Sequence, residues 1–516
     1  MKKRSRTRLY LLFILPALLA TLLGCSEDFF NKQAGDRITP DQHYKSFIDA
    51  EISIVGAIIT LQEAMPRFIV LDGLRSDQMD VTKYANANLR EINNQVFSPG
   101  NPYTDPADFY KVIVNINEVL ANIDQVAEND RTFDDYITYW AKGALISMRA
   151  WTYLTLVRLY GEAAYIADNM TSLPEELGEN VLTKEVMIDT LINQLIPYVY
   201  DVTAGTERVE LQVSYYVNTK ALLGELYLEI NDYTNAATYL KLACESYLNG
   251  TSMLKVDNTY KDDAWSTIFL NAETAQIENL SVVPFSSTEN QFNPLANLFG
   301  YSNLYEVKPS AVLVDSFMAQ IPAAGPAGDF YRGPGITFSI DSAALAGSDP
   351  DYAYITKYAV DAYDPFSSDI IISRAADIHL MLAEAYNRMG DEQSQTYALI
   401  LLNQGINKEN PKPPAFARWS RNLGIRGRVT LASHEPPESL TGEDLTRFIE
   451  DQIIAERALE LAFEGKRWSD LVRVAERRGE PEFLADKVAA KFEGTPMYNE
   501  IRAKLMDPSN WYLPFD

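Results

Sequence analysis

Two stretches of the chain repeat one pattern, and it constrains the fold more than any other feature. "ALLGELYLEINDYTNAATYLKLA" (221–243) carries Leu223, Gly224, Tyr227, Ala236, Leu240 and Ala243 at offsets that suit a pair of antiparallel helices. "IHLMLAEAYNRMGDEQSQTYALILL" (378–402) repeats the pattern with Leu382, Ala383, Tyr386, Gly390 and Leu399, although Gln395 stands where a small residue is expected. Small residues let two helices approach closely, and the aromatic fills the gap between them. A chain with two such pairs is expected to be mainly α.

The remaining periodicity agrees. Over 41–63 apolar residues recur at helical spacing, and Phe47, Ile48, Ile52, Val55 and Ile59 are expected to form the core-facing stripe. "DPADFYKVIVNINEVLANID" (105–124) opens with an Asp-Pro helix start, and "YITYWAKGALISMRAWTYLTLVRLYGEAAY" reads as a long helix ending near Gly161. The texture then changes. Residues 250–370 are rich in Asn, Ser, Pro, Gly and Tyr, with "SVVPF" and "DYAYITKYAV" as short strand-like pieces, and 407–442 is irregular again. Loops longer than about 15 residues are uncommon in compact domains unless they serve a function. The expected architecture is a helical scaffold, with tetratricopeptide-like helix pairs, presenting large loop-rich insertions that carry short strands.

The N-terminus has its own logic. Lys2, Lys3, Arg4, Arg6 and Arg8 precede an apolar run from Leu9 to Leu23 containing Pro16, the pattern of a secretory signal. A spanning helix needs about 20 residues, so this run is short for a transmembrane anchor. Leu22-Leu23-Gly24-Cys25 resembles the lipobox of bacterial lipoproteins, which implies removal of residues 1–24 and acylation of Cys25. Stable anchoring takes more than one acyl chain, and a diacylated cysteine supplies that. Ser26, Glu27 and Asp28 resemble the short acidic signal that sends Bacteroidetes lipoproteins to the outer face of the outer membrane.

The whole chain carries a net charge of −26, and loss of the first 24 residues, five basic and none acidic, takes it to about −31. Such a surface repels phosphate backbones, so nucleic acid is excluded as a partner. Cys244, in "YLKLACESYL", reads as a small core residue. His43, His379 and His434 are scattered without metal-ligand spacing, so neither metal nor cofactor is expected. No DxDxDG loop supports calcium.

"RAWTYLTLVRLYGEAAY" (149–165) and "AERALELAFEGKRWSDLVR" (455–473) resemble the SusD/RagB family, the surface nutrient-binding lipoproteins of Bacteroidetes. "FYKVIVNINEVLANI", "RAADIHLMLAEAYNRMGD" and the terminal "WYLPFD" extend the resemblance over essentially the whole mature chain. Glu456, Arg457, Glu460, Phe463, Glu464, Gly465, Arg467, Trp468, Asp470 and Arg473 stand where the family has them. The resemblance implies a SusD-like fold, with a helical region over 25–250 and a RagB/SusD region with its insertion over 251–516, packed as one body. It implies a surface lipoprotein that captures an oligosaccharide and delivers it to a TonB-dependent, SusC-like outer-membrane transporter, without catalysis. Carriage of oligopeptides and a protein-interaction scaffold are the alternatives.

Glu456, Glu460 and Glu464 recur every four residues and share a helix face. Two of them at about 5 to 5.5 Å would suit a retaining glycosidase. Arg457, Arg467 and Arg473 lie nearby, however, and favour a structural ion-pair network. "GIRGR" (424–428) reads as a loop turn with solvated charges, with binding of a sulfate or carboxylate as the lesser alternative. No nucleophile elbow, P-loop or dinucleotide fingerprint is present.

Sugar binding needs a flat aromatic face and polar groups for hydroxyls. "DGLRSDQMDVTKYANANLR" supplies Asp72, Arg75, Asp77, Tyr84, Asn86, Asn88 and Arg90, and "STENQFNPLANLFGYSNLYEV" supplies Asn290, Phe292, Tyr301, Asn303 and Tyr305. Trp265 and Tyr331 complete the candidate set.

Overall fold

The structure is a computed structural model that describes residues 43–166, 180–199, 216–245, 254–270, 272, 277–358, 364–419 and 421–515. The signal segment, Cys25 and Ser26–Asp28 lie outside the described residues.

Helix α1 (Phe47–Ile59) starts at Ser46, whose side chain and that of Asp49 form a reciprocal capping box. The helix expected over 41–63 breaks at Thr60 and resumes as α2 (Leu61–Arg75), which contains Pro66. The apolar stripe of α1 also differs from expectation. Ala50, Ile54, Ala57 and Ile58 are buried, whereas Ile48 and Ile52 are 62% and 59% exposed. Both faces satisfy helical spacing, and the helix turns its small alanines toward its neighbours.

Short strand β1 (Met79–Val81) and helix α3 (Ala87–Asn93) follow. Then come the long antiparallel neighbours α4 (Ala107–Asn129) and α5 (Asp135–Tyr160). Asp134 caps α5 by accepting from Ile137 N at 3.0 Å, and Gly161 ends it in the left-handed conformation at φ +78°. A small hairpin of β2 (Glu162–Ala164) and β3 (Val181–Thr183) leads into α6 (Lys184–Leu195).

The first repeat is the helix pair α7 (Thr219–Glu229) and α8 (Tyr233–Glu245). A Cβ on Gly224 would lie 2.4 Å from Leu240 Cγ, so only glycine permits this separation. Tyr227 and Tyr239 stack across the pair at 5.5 Å. Cys244 is fully buried, as its apolar stripe implies.

The insertion contributes β4 (Asn279–Val283), β5 (Val307–Pro309), α9 (Ala311–Met318), β6 (Phe338–Ile340), β7 (Ala353–Ile355) and β8 (Ile370–Arg374). The strands pair antiparallel as β1–β5 and β4–β8, joining segments far apart in sequence, and as the local hairpin β6–β7. The second repeat is α10 (Ala375–Met389) and α11 (Glu392–Leu402), with α10 packed on α8. Gln395 is buried and donates from Nε2 to Thr446 Oγ1 at 2.9 Å, which explains a polar residue at a position expected to be small. It faces α12 (Gly442–Glu460). Helices α13 (Arg467–Arg478), α14 (Pro481–Ala489) and α15 (Met497–Leu505) complete the chain, and Leu513 N donates back to Leu159 O at 2.8 Å.

The close contact in the first repeat is testable. Gly224→Ala should lower stability by about 1–3 kcal/mol through overpacking. Gly56→Ala, where the added methyl meets open space, should be neutral or stabilising by up to about 1 kcal/mol. Urea unfolding of both variants, followed by circular dichroism, checks the contrast.

Candidate ligand-binding site

The three glutamates of the α12 segment are buried and already satisfied. Arg332 donates to Glu456 at 2.7 Å and Glu460 at 2.8 Å, and Arg426 reaches Glu456 at 2.5 Å. Glu460 also accepts from Arg374 at 2.7 Å and Arg428 at 2.6 Å. Glu464 accepts from Arg374 at 2.9 Å and Lys357 at 2.6 Å. Asp329 and Glu278 complete the cluster, so five buried carboxylates face five buried cations.

The expected partners are therefore corrected. Arg457, one residue past Glu456 and about 100° round the helix, pairs instead with Asp377 at 2.9 Å and Asp470 at 2.7 Å. Arg467 pairs with Asp77, and Arg473 with Glu384 and Asp470. The turn at 424–428 is corrected too: Arg426 and Arg428 are buried in the ion-pair cluster, which leaves no solvated loop for an anion.

Four of the candidate ligand residues are likewise enclosed. Asp72 accepts from Arg467 N at 3.2 Å and Trp468 N at 2.9 Å, capping α13, while burial pushes its carboxyl up to about 7. Arg75 donates to Trp511 O at 2.6 Å and lies 4.0 Å from the Trp468 ring centre; burial brings its guanidinium down to about 9. Asp77 takes both ends of Arg467 at 2.7 Å. Trp265 has 0% exposure and sits among Lys357, Arg374 and Phe269. These four side chains are committed to contacts inside the protein, and only Asp77 keeps a little exposed surface. Tyr331 is half-buried against the Trp265 cluster.

The remaining tyrosines converge. Tyr84 follows β1, Tyr301 and Tyr305 precede β5, and the β1–β5 pairing brings these loops side by side. Tyr305 is buried at a left-handed φ of +46°, with its hydroxyl 3.0 Å from Asp351 O and 2.7 Å from Ala353 O. It underlies a surface pair: Tyr84 is 61% exposed and 6.4 Å from its ring, and Tyr301 is 51% exposed and 5.2 Å away. Tyr354 of β7 adds a fourth ring 5.5 Å from Tyr301. The platform is thus Tyr84 and Tyr301 seated on Tyr305, with half-buried Tyr354 against Tyr301.

Polar groups fix its edges. Asn86 caps α3 through Leu89 N and donates to Glu306 at 3.0 Å. Arg90 donates to the carbonyls of Thr82, Lys83 and Ala85 at 2.9 to 3.1 Å, which ties down the loop carrying Tyr84. Asn303 Nδ2 donates to Ala296 O at 3.0 Å and shapes the turn under Tyr301, and Asn88 O accepts from Asn101 at 3.1 Å. Asn290 is exposed at φ +59°, and Phe292, 53% exposed, packs edge-on against Phe366 in the same insertion.

Tyr354, Lys83, Asp341 and Asp349 were not among the residues expected from sequence. For Tyr354 a signal exists: in "DYAYI" Tyr352 and Tyr354 alternate with buried Ala353 and Ile355, so one ring face of the strand points outward. Among the described residues no cluster of His, Cys, Asp or Glu is arranged to hold a metal ion.

The buried pairs make stability depend on acid. Burial pushes the Glu384 carboxyl up, but Arg473 and Arg477 outweigh it and hold it at about 2; Arg158 and Lys184 do the same for Glu229, also about 2. Both lie below their ordinary 4.5, so the stability they contribute is fully present above that value and lost as pH falls toward 2. Thermal melts from pH 7 to 3 should show the melting temperature dropping below about pH 4.5, and Glu384→Gln should flatten that drop.

Comparison with known proteins agrees with this architecture. Residues 352–514 match the SusD family. Two SusD-like proteins of Formosa agariphila are 22% and 23% identical, each alignment covering 89% of this chain and 90% or 89% of the relative. A SusD superfamily structure from Bacteroides vulgatus superposes with a TM-score of 0.65 at 17% identity, covering 90% of this chain and 98% of that one. A laminarin-binding SusD-like protein superposes with a TM-score of 0.61 at 17% identity, covering 88% and 96%. The C-terminal match, the near-full-length relatives and the shared fold together show a chain similar to the SusD family over nearly its whole length and carrying the fold of the SusD superfamily structures.

Proposed function

We propose that the protein is a cell-surface glycan-binding lipoprotein that captures oligosaccharides and delivers them to a partner TonB-dependent outer-membrane transporter. The observation that carries the binding role is the pair of exposed rings Tyr84 and Tyr301 on buried Tyr305, extended by half-buried Tyr354. Flat rings suit the CH face of a pyranose, and Asn86 and Asn303 at the rim suit its hydroxyls. The likeness to a laminarin-binding relative supports a carbohydrate ligand. Burial and full pairing of Glu456, Glu460 and Glu464 support binding without glycoside hydrolysis.

The anchor and address rest on sequence. Removal of residues 1–24 and lipidation at Cys25, followed by Ser26-Glu27-Asp28, would tether the 25–250 and 251–516 regions as one body on the outer face of the outer membrane. There the protein stands as a lid over its transporter.

Two experiments test this reading. Tyr301→Ala and Tyr84→Ala should each weaken binding of a glycan found by array screening at least ten-fold, about 1.4 kcal/mol, as read by calorimetry. Unchanged affinity in both variants would remove the platform from the mechanism. Cys25→Ala should move the protein from the membrane to the soluble fraction, and retention at the membrane would refute the lipid anchor.

A further inference from the structure

The charges around the tyrosine platform limit what it can hold. Lys83 Nζ reaches Asp349 at 3.2 Å, and Lys308 Nζ lies 2.8 Å from Asp351 and 2.7 Å from Pro350 O. Both lysines are thus engaged by a carboxylate beside the platform. The Arg90 guanidinium is turned onto three backbone carbonyls.

The other two carboxylates are satisfied by neutral donors. Asp341 caps the short helix Ser342–Ala346 through Ala343 N at 2.9 Å and Ala344 N at 3.1 Å, and it bonds the Tyr301 hydroxyl. Glu306 accepts from Asn86 N and Nδ2, both at 3.0 Å. With Lys83 and Lys308 cancelled by their partners, the rim stays net negative even with Arg90 counted. The charge of Asp341, with desolvation and the hydrogen bond to Asp341 adding, pushes the Tyr301 phenol up.

The geometry points to charge selection at this site: it admits uncharged oligosaccharides and excludes those bearing uronate or sulfate groups. This rests on the glycan-platform reading. A hydroxyl donates to Asp341 or Glu306 as readily as to water, whereas an anionic substituent stacked on Tyr301 meets the like charge of Asp341 and Asp349, and the one cation not paired with a carboxylate, Arg90, is turned onto backbone carbonyls. Like-charge juxtaposition is a standard means of rejecting wrong partners. The net charge, −26 for the whole chain and about −31 without residues 1–24, opposes anionic polymers before they reach the site.

Affinity electrophoresis of the mature protein tests this with two panels. The neutral panel is laminarin, mannan, xylan, arabinan and dextran; the anionic panel is alginate, polygalacturonate, carrageenan and chondroitin sulfate. At least one neutral polymer is expected to retard the protein, with retardation lost in Tyr301→Ala, while anionic polymers bind at least about ten-fold more weakly at low salt. The double variant Asp341→Asn with Asp349→Asn keeps the helix cap, since Asn caps as well as Asp, and it frees Lys83. It should narrow the gap between anionic and neutral affinity about ten-fold, with the change fading as salt is raised. An anionic polymer that binds the unmodified protein as tightly as any neutral one, and depends on Tyr301, overturns the charge inference and leaves glycan capture standing. An unchanged gap in a double variant that melts normally also overturns it. Retardation by none of the polymers overturns glycan capture and the inference together.

Discussion

The buried ion-pair cluster on α12 is the constraint on which the rest of the structure depends. Burying a charge costs several kcal/mol, and a pair recovers this only when geometry is good and every partner is present. Here five cations meet five carboxylates, and the cations arrive from the loop before β6, from beyond β7, from the end of β8 and from the 425–428 turn. Removing one member would leave its partner charged and unpaired in the interior, which typically costs 3–5 kcal/mol. The cluster therefore acts less as a reservoir of stability than as a specification of where each loop must return.

That specification reaches the candidate site. Arg332 lies six residues before β6 and is held by Glu456 and Glu460 of α12, and Lys357 lies two residues after β7 and is held by Glu464 in the turn that follows α12. The β6–β7 hairpin is thus fixed at both ends to the helical core. It carries Tyr354 and Asp341 to Tyr301, while the β1–β5 pairing brings Tyr84 from the other side. Precise placement of four rings from three distant segments follows from pairing and charge, with little helix involved.

Much of the scaffold was legible in the sequence because it is local. Gly224, Leu240 and Tyr227 announce a close helix pair at offsets that a single chain segment contains. The four-residue spacing of Glu456, Glu460 and Glu464 was equally visible, although the helix ends at Glu460 and Glu464 lies in the turn beyond it; their cationic partners lie 30 to 128 residues away along the chain, and no spacing rule finds them. Asp72, Arg75 and Asp77 have the same polar composition as a ligand loop, and only the tertiary contacts to Arg467, Trp468 and Trp511 show them to be internal. The buried face of α1 is hidden for a related reason: with apolar residues on two sides, periodicity does not say which side meets the core. The tyrosines were readable as loop aromatics, yet their convergence depends on strand pairing between segments more than 200 residues apart.

The doubly fastened β6–β7 hairpin also separates two kinds of inheritance. Its ends are committed to the interior and tolerate little change. Its outer stretch, from Asp341 to Asp351, makes its contacts mainly with the neighbouring loops that carry Lys83, Tyr301, Tyr305 and Lys308. Descendants of this chain can rewrite that stretch, exchanging carboxylates for amides or bases, while the helical body folds unchanged. If the tyrosine site is the ligand site, new ligand preferences would arise in that stretch first.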